Sequence, residues 1–353
     1  MKLFRYILIV IVLVLAGCSS GTDEPGAPAG SRKCTLRITL RTEASPEKGS
    51  RAGTWGDDYD KELPLPSETN ISYINFYLVS NDNPDDAIRL THSLREGAGV
   101  YTAEVSLDAG MLQQQPDGST TLTGRIVAVV NCPYDAAYGP FYLYPSDIDD
   151  ILKGGVLPMW GVMTVTDLPL ITDKVVDAEE ELVLLRALPK ITVELDKTIS
   201  DRYTIVSVVP DQAAGYPSVT RILPTGAERA AKTKELLIEG CFNADVATPD
   251  FRPVFQRESA SKMLCYLPEL KCLQPDGAPM SYTVTLRRTG GNQTFTGKIW
   301  LRDYDKDGMP TGEPFGTLVR NHDYQFIIRL SPLELLVSVQ KWRFGGKVHI
   351  DLE

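Results

Sequence analysis

The sequence predicts an all-β chain with two β-sandwich domains in series, and three observations lead there. Apolar and polar residues alternate with period two in segment after segment, a helical period is scarce, and the alternation stops and restarts around Pro189. In residues 34–41, Cys34, Leu36, Ile38 and Leu40 fall on one side and Thr35, Arg37, Thr39 and Arg41 on the other, as a half-buried strand requires. The same alternation marks 74–78, 101–107, 191–195, 282–286 and 324–330, with Gly, Pro, Asn and Asp clusters between them. Only 145–152 and 226–237 have a pattern suited to short helices. An acidic stretch at 177–181, an apolar run at 182–185 and then Arg186-Ala187-Leu188-Pro189-Lys190 mark the boundary. The expected domains are therefore 34–186 and 187–353. Residues 45–68 are polar, rich in Gly and Pro and without period, and read as an exposed loop.

Ahead of the first strand the chain carries an export address. Lys2 and Arg5 give a positive start, residues 6–14 are almost unbroken hydrocarbon, and Leu15-Ala16-Gly17-Cys18 follows. A resident spanning helix needs about 20 apolar residues, and this run is about half that, which suits a cleaved signal peptide over residues 1–17. Small residues before a cysteine resemble the lipobox of bacterial lipoproteins, in which Cys18 would be acylated and become the new N-terminus. Each buried CH₂ of an acyl chain contributes about 0.8 kcal/mol, so several chains would hold the protein on a membrane. Residues 18–33, rich in Ser, Gly, Ala and Pro, read as a flexible tether with a reach of roughly 50 Å. Asp23-Glu24 resembles the surface-export signal of Bacteroidetes lipoproteins, and a solvated linker would have the same composition.

The composition excludes several classes. With 43% hydrophobic and 23% charged residues the chain is globular. A net charge of −10, with no basic stretch interleaved with aromatics, disfavours nucleic acid as a partner. Of six cysteines, Cys18 is assigned to lipid, leaving Cys34, Cys132, Cys241, Cys265 and Cys272, an odd number without zinc spacing. Core packing as small apolar residues is one reading, and a single disulfide between Cys265 and Cys272 is another. His92, His322 and His349 are far apart, and no nucleophile elbow, metalloprotease helix or phosphate loop occurs, so neither an enzyme nor a cofactor is expected. Asp303-Tyr-Asp305-Lys-Asp307-Gly308 repeats the first half of a calcium loop. Pro314 stands where the bidentate Glu should be, so a polar turn between two strands is the expectation and no metal is assigned.

One family gathers these features. A lipobox leads into an isolated first strand and an Arg-bearing loop, and the chain ends with Arg320-Asn321-His322-Asp323-Tyr324, a strand, and Val339-Gln-Lys-Trp342. This layout resembles a fimbrillin of the Bacteroidales type V pilus, the FimA and Mfa class of fimbrial subunits. The resemblance implies transthyretin-like sandwiches and a lipid-anchored precursor at the outer membrane. It also implies an Arg-specific cleavage that removes the first strand, and assembly into a surface fimbrium that supports adhesion when a neighbour's C-terminal strand fills the groove. Here the cut would fall between Arg51 and Ala52, with Arg41 and Arg32 as alternatives. The donor tail would be 335–353, with Val337 and Val339 as pocket residues and Trp342 as a large anchor. The partners implied are other fimbrial subunits, the outer membrane through the lipid, and a receptor on a host or bacterial surface. Two alternatives stand beside this. The alternative for the tail is a terminal hairpin turning at Gly345-Gly346, and an uncut chain would be a lipid-retained anchor or tip subunit. Outside the class, a surface glycan-binding lipoprotein would use exposed aromatics, for which Trp55, Trp160 and Trp300 are available.

Overall fold

The computed structural model describes residues 33–42, 66–80, 87–97, 100–116, 119–132, 141–211, 220–224, 226–227, 230–233, 253–272, 279–304, 310–315, 317–330, 335–343 and 346–348. The first half holds β1 (Lys33–Thr42), β2 (Ile74–Val79), β3 (Ala87–Gly97), β4 (Val100–Asp108), β5 (Gln113–Gln114), β6 (Thr120–Val130), β7 (Tyr142–Leu143), β8 (Met159–Leu170), β9 (Val175–Asp177) and β10 (Leu182–Arg186). Two short helices lie among them, α1 (Pro66–Thr69) and α2 (Pro145–Leu152). Pro145 opens α2, the Asp147 carboxylate accepts the Tyr144 N–H at 2.7 Å, and Ile148, Ile151 and Leu152 turn one face inward.

Hydrogen-bonded neighbours run β10, β8, β6, β2, β3, β4, β1, and β1 also pairs with β10, so these strands close into a barrel-like ring. Every pairing in the ring is antiparallel except β1 with β10, which is parallel from Leu40↔Leu182 to Thr42↔Leu184. β9 lies beside the other end of β1, also in parallel. Closure is a feature that the expected β-sandwich did not specify. Alternation reports that one face of a strand is covered, and a closed sheet and a sandwich cover that face equally. β2 goes further, because every residue in it is buried. Ile74, Phe76 and Leu78 point into the barrel cluster, whereas Tyr77 and Val79 join the apolar cluster of the second half.

The second half holds β11 (Lys190–Leu195), β12 (Tyr203–Pro210), β13 (Thr220–Arg221), β14 (Gln256–Arg257), β15 (Lys262–Tyr266), β16 (Leu270–Lys271), β17 (Ser281–Arg288) and β18 (Thr294–Trp300). It continues with β19 (Arg302–Tyr304), β20 (Pro310–Pro314), β21 (Thr317–Leu318), β22 (Asp323–Leu330), β23 (Leu335–Arg343) and β24 (Gly346–Val348). One sheet runs β14, β15, β11, β22, β23, β24 and another β12, β17, β18. Their shared core continues into α2 and Trp160 of β8, so one apolar cluster touches both halves of the chain.

The barrel has one thin seam. β8 and β10 pair only through Leu185↔Trp160 and Arg186↔Met159. Beyond that point the Thr233 hydroxyl sits between the strands: it accepts the Val162 N–H and lies 2.9 Å from the Val162 and Val183 carbonyl oxygens. Gly161 makes the approach of β10 fit, since a Cβ there would lie 2.7 Å from the Val183 carbonyl oxygen. This segment was expected to be helical. Of the expected helix over 226–237, the described residues 226–227 and 230–232 hold turns and a bridge from Lys232 to Met163, and Thr233 is 3₁₀. At Lys232 and Thr233 the bonds run to the barrel, and 228–229 and 234–237 lie outside the described residues.

Cys34, Cys132, Cys265 and Cys272 are buried, and Cys265 and Cys272 pack as core residues with no disulfide between them. Cys241 lies outside the described residues. β19 and β20 pair antiparallel on either side of the half calcium loop, whose residues 305–309 are also outside them.

Candidate functional site

The most informative place in the molecule is the seat of β1. Cys34, Leu36, Ile38 and Leu40 are buried inside the barrel with Ala103, Val105 and Leu107 of β4. One edge of β1 pairs with β4 from Lys33↔Asp108 to Leu40↔Tyr101, and the other edge is shared by β9 and then β10. Backbone bonds from Asp173 N–H to the Lys33 carbonyl and from Ala178 N–H to the Arg37 carbonyl add to that second edge. Burial raises the Cys34 thiol above its ordinary value, which keeps it a neutral, inert core group.

The outer face of β1 is basic and its surroundings are acidic. Arg37 stands directly opposite Glu104 on β4 and Asp177 on β9. Its guanidinium reaches Glu104 Oε1 through Nε at 3.3 Å and Nη2 at 3.0 Å, and Asp177 through Nη1 at 3.3 Å. Arg41, four residues on, lies 3.8 Å from Glu181.

Immediately after the segment 43–65 the chain is pinned. Glu68 of α1 is 2% exposed, which corrects the expectation that the polar loop stays exposed through residue 68. Its Oε1 accepts from Lys190 Nζ at 3.0 Å and from Tyr266 Oη at 2.8 Å, and Lys190 also reaches Asp323 at 3.1 Å. Burial alone would raise the Glu68 carboxyl, but the charges of Lys190 and Arg186 and the two hydrogen bonds outweigh it and bring it down to about 2. Burial likewise opposes the charge on Lys190, and Asp323 and Glu68 reverse that and raise it.

The Arg-Asn-His-Asp-Tyr stretch now has a physical role. Arg320 is buried, meets Glu269 at 2.5 Å, donates to the Ile222 carbonyl and lies 6.0 Å from the Trp160 ring centre. Asn321 adopts a positive φ of 59° and accepts the Arg186 N–H. The His322 carbonyl accepts the Lys190 N–H, Asp323 accepts the Thr192 hydroxyl, and Tyr324 Oη accepts the Val319 N–H. The stretch therefore ties 186–192 to the start of β22. Sequence reading found it as a marker and missed its partners Glu68, Lys190 and Glu269, because no spacing links residues so far apart.

Of the other sequence-predicted residues, Cys18, Arg51 and Ala52 lie outside the described residues. Val337 and Val339 are on β23 at register positions opposite Ile328 and Phe326, and Trp342 pairs with Lys347 of β24. Within the single chain the tail thus lies as a hairpin extending the sheet from β22. Trp160 is buried in the core and Trp300 is half-buried with Lys298 over its ring, so neither is an open platform for a sugar. Among the described residues no group of three or more His, Cys, Asp or Glu is placed to hold a metal.

These features define a class: an all-β chain whose first strand, joined to the rest by one polar segment, completes a closed sheet. No family model matches the sequence, and no curated protein does. Among solved structures the chain is similar to the tip fimbrial protein Mfa3 of Porphyromonas gingivalis, at 11% identity and a TM-score of 0.49, over 88% of this chain and 100% of that one. A Bacteroides uniformis structure with a cell-adhesion assignment gives 11% identity and 0.46, over 88% and 97%. A fimbrial assembly protein of Parabacteroides distasonis gives 9% and 0.41, over 88% and 95%.

Proposed function

We propose that this chain is a structural, non-catalytic subunit of a surface fimbrium of the type V class, made as a lipoprotein and assembled by strand exchange. Cys18 carries the lipid that holds the precursor at the outer membrane. Cleavage between Arg51 and Ala52 frees the lipid and β1 together, and a neighbour's C-terminal strand, represented in this sequence by Val337, Val339 and Trp342, takes the vacated place. The chain is organised for this as two units, 34–186 and 187–353.

The observation that carries the reading is the position of β1. It supplies four buried side chains to the barrel, yet one covalent connection, on its C-terminal side, ties it to the strands it completes. A single cut in 43–65 leaves it held only by non-covalent contacts. Removal would expose an apolar groove and unpaired backbone on β4, β9 and β10, which an incoming strand restores. Glu68, fixed to Lys190 and Tyr266, keeps α1 on the body of the subunit.

N-terminal sequencing of protein taken from surface filaments tests this. The expected first residue is Ala52, and Arg51→Ala is expected to accumulate as unpolymerised precursor. Filament protein that still begins at acylated Cys18 would overturn the cleavage reading and make the chain a lipid-retained anchor.

A further inference from the structure

We infer that the seat of β1 selects its incoming strand by charge as well as by apolar fit, and that its preferred occupant is a strand of a different chain. That strand carries two basic residues four positions apart on the parity opposite to its apolar residues. This rests on the strand-exchange reading above and names the partner's chemistry.

β1 is the resident occupant and shows what the seat accepts. Its buried parity is Cys34, Leu36, Ile38 and Leu40, and its outward parity includes Arg37 and Arg41. Arg37 meets a carboxylate on each flank, Glu104 and Asp177, and Arg41 meets Glu181. When β1 departs, these acids remain, Glu104 with Arg95 at 3.6 Å beside it. A strand without positive charge at the Arg37 position leaves two carboxylates facing each other across it, and an acidic residue there makes three like charges in a row. Directly opposed like charges on neighbouring strands destabilise pairing, and misplaced charge is a general means of rejecting wrong partners.

The chain's own tail does not supply this pattern. In 335–343, Lys341 and Arg343 share the parity of Val337 and Val339, so a register that seats the valines sends the basic residues toward the apolar side. In 346–353, seating Val348, Ile350 and Leu352 leaves Lys347 and Asp351 four apart, a base followed by an acid. Copies of this chain therefore fit one another's groove less well than a strand with β1's charges does.

Competitive peptide uptake tests the inference. The full-length protein, given one added protease site between residues 43 and 65, is cut and mixed under reducing conditions with labelled peptides. These are the β1 sequence, β1 with Arg37→Glu and Arg41→Glu, β1 with Ile38→Asn, and the tail segments 335–343 and 346–353. The β1 peptide is expected to be taken up about tenfold better than its Glu version at low salt, with the gap closing near about 0.5 M salt. Glu104→Gln protein is expected to narrow the gap, and both tail peptides should trail β1. Equal uptake of the Arg and Glu peptides, with Ile38→Asn excluded, would overturn charge selection and leave strand exchange standing. Better uptake of either tail segment would overturn the preference for a different chain. Uptake of none would overturn strand exchange itself and this inference with it.

Discussion

Replacing Glu68 by Gln keeps the shape of the side chain and an oxygen for Tyr266 while removing the charge that Lys190 faces at 3.0 Å. At an effective dielectric of about 20, that separation corresponds to about 5 kcal/mol of attraction, of which carboxylate burial returns a part. The lowered carboxyl leads to a similar figure: a group brought from its ordinary 4.5 to about 2 by folding contributes about 3 kcal/mol near neutral pH. Asp323 still faces Lys190 in the variant, so about 3 kcal/mol is the expected loss. For a cooperative unit of about 300 residues this lowers the melting temperature by about 5 °C. The sign of the pH dependence is fixed too. Because the folded value lies below the unfolded one, the contribution is complete above about 4.5 and disappears as pH falls toward about 2. Thermal melts of both proteins between pH 7 and pH 2 should therefore start about 5 °C apart and converge. Equal melting at neutral pH, or a difference that persists unchanged at low pH, would refute the assignment of Glu68 as the charged latch.

Three further outcomes are expected. Thr233→Val should cost about 1–3 kcal/mol, because it fills the seam yet leaves the Val162 and Val183 backbone groups unpaired, and hydrogen exchange of β10 amides should rise. Cys18→Ala should move the protein from the membrane to the soluble fraction and abolish labelling by a fatty-acid analogue; an unlabelled wild-type precursor would remove the tether. Deleting residues 335–353 should leave a folded subunit, since β22 keeps its parallel partner β11, but one that cannot enter polymers; loss of folding by circular dichroism would count against donation.

What could be read from the sequence was whatever period two encodes. β1, β4, β11, β17 and β22 fall where their alternation puts them, and α2 begins at the proline that starts it. Glu68 was not legible: one glutamate in a polar run looks solvated until folding brings Lys190 and Tyr266 to it. The seam was equally hidden, because Thr233 and Gly161 gain meaning only from a gap between two strands that no local pattern announces. Ring closure by β1 and β10 belongs to the same group, since three parallel rungs leave no trace in either strand's alternation. For β1 itself, the half of the seat that was readable was its apolar parity. The acidic half lies on two stretches far apart in sequence, Glu104 on β4 and Asp177 with Glu181 in the run 177–181.

The distance along the chain between β1 and its neighbours sets the order of events during biogenesis. Arg37 lies 67 positions before Glu104 and 140 before Asp177. β1 is made early in synthesis, but its second edge does not exist until β9 and β10 have followed. Contacts between segments so far apart form late, after the intervening loop entropy has been overcome. Ring closure is therefore the final step for the barrel, and until then the newborn chain trails an apolar ribbon with a bare edge. The interval between the emergence of residue 42 and that of residue 186 is the window in which wrong strand pairing competes with correct folding.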